Sequence, residues 1–536
     1  MIYLEHWLAV ALVSTACAAC SSSAEPAGAG EAGGEVPSAA PSTNPEGTGQ
    51  PACERAAPPP PDPAARAVIV TSAALAPSFG KLALFHQLTG ARTEIVTVED
   101  ICKASSCGAS STSDTAKAIK DYLRARAGLE YALLGGDTTV VPARSSWDHY
   151  VNPIVPTISF TENIATDFYY SDFSEWDTNG DGKYGDPAAD KPDYTPEIAV
   201  GRLPVATPAE VTTYVDKVIA HATRFDVSKV NDVLLLSNAA TTVYNVPLDS
   251  SFYFGRPGRT ISLLPDGAAT TKLYSSTIFD STATPLSVTA ETQQLGAGHA
   301  MVVHAGHGGV SLLTTEANGA NAFTGDMAYA LENATLPVFM SCACSAGSLA
   351  ANGNSAGAKL VRAPKGGAIA YLGNSATGLG LAGGSQLIDE MLRHIKTAKS
   401  PRLGDALRAG LTNLPASDSM DVPGLPLSIP VISADSRRWT LKSVVLLGDP
   451  MLPLWSAPLM PAATASARRD TACSERVVFS FGAPVQGVLR VLAGDAVYEV
   501  QVSGSSATLA LPTSVASVTV GVVAADRLFG YAELPL

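Results

Sequence analysis

Ala300-Met301-Val302-Val303-His304-Ala305-Gly306-His307-Gly308-Gly309 and Leu336-Pro337-Val338-Phe339-Met340-Ser341-Cys342-Ala343-Cys344-Ser345-Ala346-Gly347 are the stretches that decide the fold. Each is a short β-branched or aromatic run that stops at small residues, the pattern of a buried strand leading into a tight loop. In a parallel α/β sheet such loops gather at the carboxyl ends of the strands, where ligands bind. A histidine on one loop and a cysteine on its neighbour are the minimum for a base-assisted thiol nucleophile. The working expectation is a cysteine hydrolase.

Outward from this pair, strands and helices alternate. Order begins at Ala67-Val68-Ile69-Val70-Thr71, and strands follow at 92–98, 131–137 and 196–204 with helices between them. The pattern restarts at Val230-Asn231-Asp232-Val233-Leu234-Leu235-Leu236 and continues past the opening stretches to a strand at 366–374. A helix from about 384 to 397 then presents Leu387, Ile388, Met391, Leu392 and Ile395 on one face. Such alternation implies doubly wound, mainly parallel sheets with right-handed crossovers. Two α/β subdomains are expected, 66–225 and 226–457. Residues 149–195 read as irregular. From 458 to 536 short alternating runs without helical period predict an immunoglobulin-like β-sandwich.

At the amino terminus, residues 1–20 read as a signal peptide, because the apolar segment 7–20 is too short to span a bilayer. The segment carries Glu5 and His6 where lysine or arginine is usual. Its small residues ending at cysteine are similar to a bacterial lipoprotein cleavage box, with Cys20, ahead of Cys17, as the lipidated residue. Residues 21–65 are a Pro/Ala/Gly/Ser-rich tether that buries nothing and holds a folded body off a membrane. The expected location is the cell surface or outer membrane through that lipid, otherwise secreted.

Composition agrees. A chain of 536 residues, 46% hydrophobic and 16% charged, builds large cores and excludes wholesale disorder. A net charge of −14 leaves no basic patch for nucleic acid or an anionic surface. Eight cysteines are too few for a disulfide scaffold in this length. Cys102 and Cys107 suit a local disulfide, and Cys53 with Cys473 is a second candidate pair.

Asp177-Thr178-Asn179-Gly180-Asp181-Gly182-Lys183 places oxygen side chains at alternating positions with glycines between, like the first half of a calcium loop. The candidate donors are Asp177, Asn179, Asp181, Lys183 and Asp186. The twelfth position is Ala188 instead of a bidentate glutamate, so Asp186 or Asp190 must substitute. An Asx-rich turn is the alternative. Calcium here is structural, and no cofactor is expected for catalysis.

A cysteine nucleophile attacks as its thiolate, which a nearby histidine promotes. The tetrahedral intermediate then needs N–H donors. Gly308 lets a backbone amide approach without a side chain in the way, and Cys344 offers its own N–H. His304 competes with His307, and Cys342 with Cys344. The earlier member of each pair lies within a strand, where a core role is usual. The glycine after His307 and the strand-end position of Cys344 favour the later members. A His304/His307 zinc pair suits a helix turn rather than a strand, and no glutamate follows.

His307-Gly308 closing one strand and Ala343-Cys344 closing the next resemble the caspase–gingipain–legumain clan of cysteine peptidases, most nearly the gingipain family. Leu133-Leu134-Gly135-Gly136-Asp137, the Glu197 to Arg202 strand, Cys344-Ser345-Ala346-Gly347, Leu446-Leu447-Gly448-Asp449-Pro450 and the β-rich tail also fit. The resemblance covers roughly residues 66–536. It implies a caspase-like α/β fold and an endopeptidase acting on protein or peptide substrates through an acyl-thioester. It implies a nucleophile at Cys344, a general base or acid at His307, and oxyanion donors at the amides of Gly308 and Cys344. One departure stands out. Gingipains that cut after basic residues use an acidic side chain in the specificity pocket and another beside the histidine. The matching region, Ser237-Asn238-Ala239-Ala240, has none, and Asp249 has no assigned place. Arginine or lysine specificity is therefore not carried over. A transpeptidase sharing the acyl-thioester is a close variant, and an inactive surface binding module is the alternative from another class. The intact His–Cys pair argues against the latter.

Overall fold

Runs of Val, Ile and Leu form strands here because branched side chains suit a pleated surface, and continuous apolar runs suit one buried on both faces. The computed structural model describes residues 65–107, 114–152, 159–243, 246–249, 251–278, 280–315, 321–398, 401–421 and 428–536. In chain order the main strands are β1 (Ala67–Thr71), β2 (Thr93–Thr97), β3 (Tyr131–Gly135), β4 (Ala199–Leu203), β5 (Asp232–Ser237) and β6 (Ala269–Tyr274). They continue as β7 (Thr284–Pro285), β8 (Met301–Ala305), β9 (Val338–Ser341), β10 (Ala370–Asn374) and β11 (Val444–Leu447). All lie in one sheet, ordered β7-β6-β5-β8-β9-β10-β11-β4-β3-β1-β2. Every neighbouring pair is parallel except β10 with β11.

The expected pair of separate sheets is thus corrected to one. Segments 66–225 and 226–457 are joined through β11, which pairs antiparallel with β10 from Tyr371↔Leu447 to Asn374↔Val444 and parallel with β4 at Leu447↔Arg202. A strand from the far end of the second segment fills the seam, a placement that alternation of elements does not reveal. Below the seam, His86 on helix Ala76–Thr89 meets Asp449 at 2.7 Å in full burial, and the Asp449 carboxylate also accepts from the Met451 amide.

Local signals set the helix ends. Helix Ala76–Thr89 stops at Gly90, whose φ of 113° only glycine adopts cheaply. Helix Pro208–Arg224 starts with a capping box between Thr207 and Glu210. Helix Gly384–Thr397 buries the five apolar residues named above. The stretch read as irregular contains part of a hairpin, Arg144–Val151 with Ser159–Thr166, paired in the register Asp148↔Glu162. Its Tyr150 and Phe160 rings pack on Trp439 at 6.1 and 4.8 Å.

The carboxyl-terminal strands Ala465–Arg469, Arg476–Ala493, Ala496–Ala510, Ser517–Ala524 and Gly530–Pro535 are antiparallel. They form one hydrogen-bonded array, not the two separate sheets of an immunoglobulin-like sandwich. The reason is Arg476–Ala493, which pairs with Ala465–Arg469 along its first part and with Ser517–Ala524 along its second. The array has its own core around Val477, Phe479, Leu489, Val491 and Val520. It docks on helix Ala76–Thr89, where Phe85 meets Phe529 and Tyr531 at ring distances of 6.5 and 5.3 Å.

Cys102 and Cys107 are disulfide-bonded. Cys473 is also in a disulfide; its suggested partner Cys53 lies outside the described residues. So do the signal segment, Cys17, Cys20 and the tether up to residue 64. Among the described residues no helix is long and apolar enough to cross a membrane.

Candidate active site

The chain leaves β5 toward β6 on one side and returns on the other side as β8. Such a reversal opens a crevice outside the carboxyl ends of the strands. His307 follows β8 by two residues and is exposed. Its loop folds back through short strands Gly308–Gly309, Leu312–Thr314 and Ala322–Thr324. The His307 carbonyl accepts from the Thr314 amide at 3.1 Å and its hydroxyl at 3.2 Å. Asn238, just past β5, donates through Nδ2 to the Thr314 carbonyl at 2.6 Å. Where a carboxylate was sought beside the histidine, an amide ties the histidine loop down. Asp249 ends the short strand Val246–Asp249, and its side chain is outside the described set.

Cys344 follows β9 by three residues and is half-buried. Its thiol donates to the Gly378 carbonyl at 3.6 Å. The next residue, Ser345, has φ 51°, a left-handed conformation rare outside glycine, which turns the chain sharply behind the thiol. Burial pushes the Cys344 thiol pKa up, and the negative charge of Glu162 adds to this. Phe160, Glu162 and Ile164 share one face of the hairpin, because strand side chains alternate. Phe160 and Ile164 pack in a cluster with Ala376 and Trp439 beside Gly378.

The two loops touch. A Cβ on Gly308 would lie 2.9 Å from the Ala343 Cβ and 3.0 Å from the Leu312 carbonyl, so only glycine permits this approach. The fold therefore brings His307, Gly308, Ala343 and Cys344 onto adjoining loops at one edge. His304 and Cys342 are buried beneath them. His304 Nδ1 is 2.8 Å from Ser341 Oγ, its cross-strand neighbour, and burial pushes the ring down to about 3, so it stays neutral. Burial pushes the Cys342 thiol up as well.

The Asp177 loop engages its own backbone. Asp177 accepts from the amides of Asp181 and Gly182 at 3.0 and 3.1 Å, and Asp181 from that of Lys183 at 2.8 Å. Asn179 accepts from the Asp181 amide at 3.1 Å, and Asp186 from that of Ala188 at 2.9 Å. Among the described residues there is no group of three or more His, Cys, Asp or Glu side chains placed to hold a metal. Sequence reading passed over Glu162, Gly378 and Asn374. Only Asn374 carried a signal, a polar amide closing an apolar strand.

Fold and crevice together define a class, the cysteine peptidases of mainly parallel α/β architecture. Peptidase family C25 matches residues 60–455, and the chain belongs to that family, which is the gingipain family. Among solved structures it is similar to the complex of Porphyromonas gingivalis RgpB pro- and mature domains. Identity is 16%, coverage is 88% of this chain and 99% of that one, and the TM-score is 0.59. It is also similar to the Arg-specific cysteine proteinase gingipain R, at 16% identity, covering 89% and 99%, with a TM-score of 0.58. No curated protein matches the chain.

Proposed function

We propose that the protein is an exported endopeptidase in which Cys344 is the nucleophile and His307 its base. The observation that carries this is the contact of Gly308 with Ala343, which places an exposed histidine and a half-buried thiol on abutting strand-end loops. In the proposed cycle His307 takes the thiol proton as sulfur attacks the peptide carbonyl carbon. The oxygen gains negative charge facing the amides of Gly308 and Cys344. The C–N bond then breaks, the amine leaves with the proton from His307, and water hydrolyses the acyl-thioester. The signal segment and Cys20 support attachment to an outer membrane through lipid. The spacing of Asp177, Asn179, Asp181, Lys183 and Asp186 supports a structural calcium ion.

A thiol-directed peptide probe tests the central reading. Wild type is expected to label at Cys344 and lose label in Cys344→Ala and, at neutral pH, most of it in His307→Ala. Equal labelling of wild type and Cys344→Ala, or none in either, removes the peptidase reading.

A further inference from the structure

Asn374, the last residue of β10, is buried beside the Cys344 turn and has no part in the proposed cycle. Its Nδ2 donates to the Ala343 carbonyl at 3.0 Å. That carbonyl belongs to the peptide group whose N–H is the Cys344 amide. In a trans peptide the C=O and N–H point in opposite directions. Holding the oxygen from behind therefore aims the N–H forward, and a donor on the oxygen also polarises the amide. The Cys344 N–H meets no acceptor from another residue among the described ones.

The amide of Asn374 is itself oriented. Ser443, fully buried, donates through Oγ to Asn374 Oδ1 at 3.0 Å, which leaves Nδ2 facing Ala343. Ser443 reaches this spot because β11 runs antiparallel to β10, so the residue before β11 sits beside the carboxyl end of β10. The same strand end grips the turn twice more: the Asn374 carbonyl accepts from Gly347 N at 2.9 Å, and the Ala376 carbonyl from Ser345 N at 2.8 Å. A Cβ on Gly378 would lie 2.5 Å from Asn374 Nδ2 and 2.6 Å from the Cys342 carbonyl, so the wall that receives the thiol closes over this amide.

We infer that Asn374, oriented by Ser443, is a positioning residue that presents the Cys344 amide as an oxyanion donor. The inference rests on the proposed role of Cys344. It separates two reactions of the same sulfur. Alkylation by iodoacetamide generates no oxyanion, whereas a peptide aldehyde adds the thiol across its carbonyl and leaves an oxygen where the substrate oxyanion forms.

The test compares wild type with Asn374→Leu, which keeps volume without the amide, and with Ser443→Ala, which frees the amide to turn. Asn374→Leu is expected to lower kcat about ten- to a hundredfold with KM within about threefold, and to weaken the aldehyde by a similar factor. Its iodoacetamide rate should stay within about twofold of wild type. Ser443→Ala should show the same split at several-fold size, and it decides the matter if Asn374→Leu does not fold. Aldehyde affinity unchanged in the folded variants, or lost in parallel with alkylation, overturns the inference. A wild type whose Cys344 takes neither reagent instead overturns the peptidase reading beneath it.

Discussion

Burial, and after it the carboxylate of Glu162, push the Cys344 thiol pKa up and disfavour the thiolate. On the proposed cycle, ionisation then comes with proton transfer to His307 during attack. Removing the Glu162 charge lowers the thiol pKa and moves the alkylation profile toward lower pH. Glu162→Gln is accordingly expected to raise the iodoacetamide rate at neutral pH about two- to fivefold, read from a pH–rate series. An unmoved profile sinks this account of the thiol. At this scale the sequence singled out His307 and Cys344 as candidates, because a glycine after His307 and a strand end at Cys344 are local features. It was silent about Glu162, whose place depends on a hairpin folding back over the loop after β10.

Elements show a sharper division. Strands buried on both faces and the helix at 384–397 were legible because their hydrophobic period is strong. The hairpin Arg144–Val151 with Ser159–Thr166 was not, since its polar and aromatic residues match a surface loop until Trp439 packs against them. The Asp177 loop is the element whose role a simple measurement decides. Its oxygens are satisfied by backbone amides, but their alternating spacing suits a cation that binds only the folded state. If calcium binds there, millimolar calcium is expected to raise the melting temperature of chelator-treated protein by several degrees. The gain should vanish in Asp177→Ala with Asp181→Ala. A melting curve indifferent to chelator and calcium leaves the loop as an Asx-rich turn.

For the whole molecule, the seam at β11 is decisive. It makes segments 66–225 and 226–457 one sheet, and the buried His86–Asp449 contact bolts the seam to the helix on which the carboxyl-terminal array docks. Asp449→Ala leaves a histidine nitrogen and the Met451 amide without partners in the core, at a cost of about 2–4 kcal/mol. The expected result in urea is a lower midpoint for a transition that stays single across residues 66–457. Two resolved transitions would show that the seam does not couple the halves.

By itself the sequence determined the alternating α/β class, the strands that carry His307 and Cys344, and the glycine that lets their loops meet. These follow from local periodicity and local sterics, which a linear pattern records. Only the tertiary structure decided that the sheet is single, that the carboxyl-terminal strands share one array, and that Asn374 and Ser443 stand behind the nucleophile turn. Those depend on pairing between residues far apart in the chain, and pairing is set by which buried edges and polar groups find partners once the chain has folded. The two stretches met first thus carry the proposed reacting groups, while the strand that begins at residue 444 brings Ser443 to the Asn374 amide beside one of them.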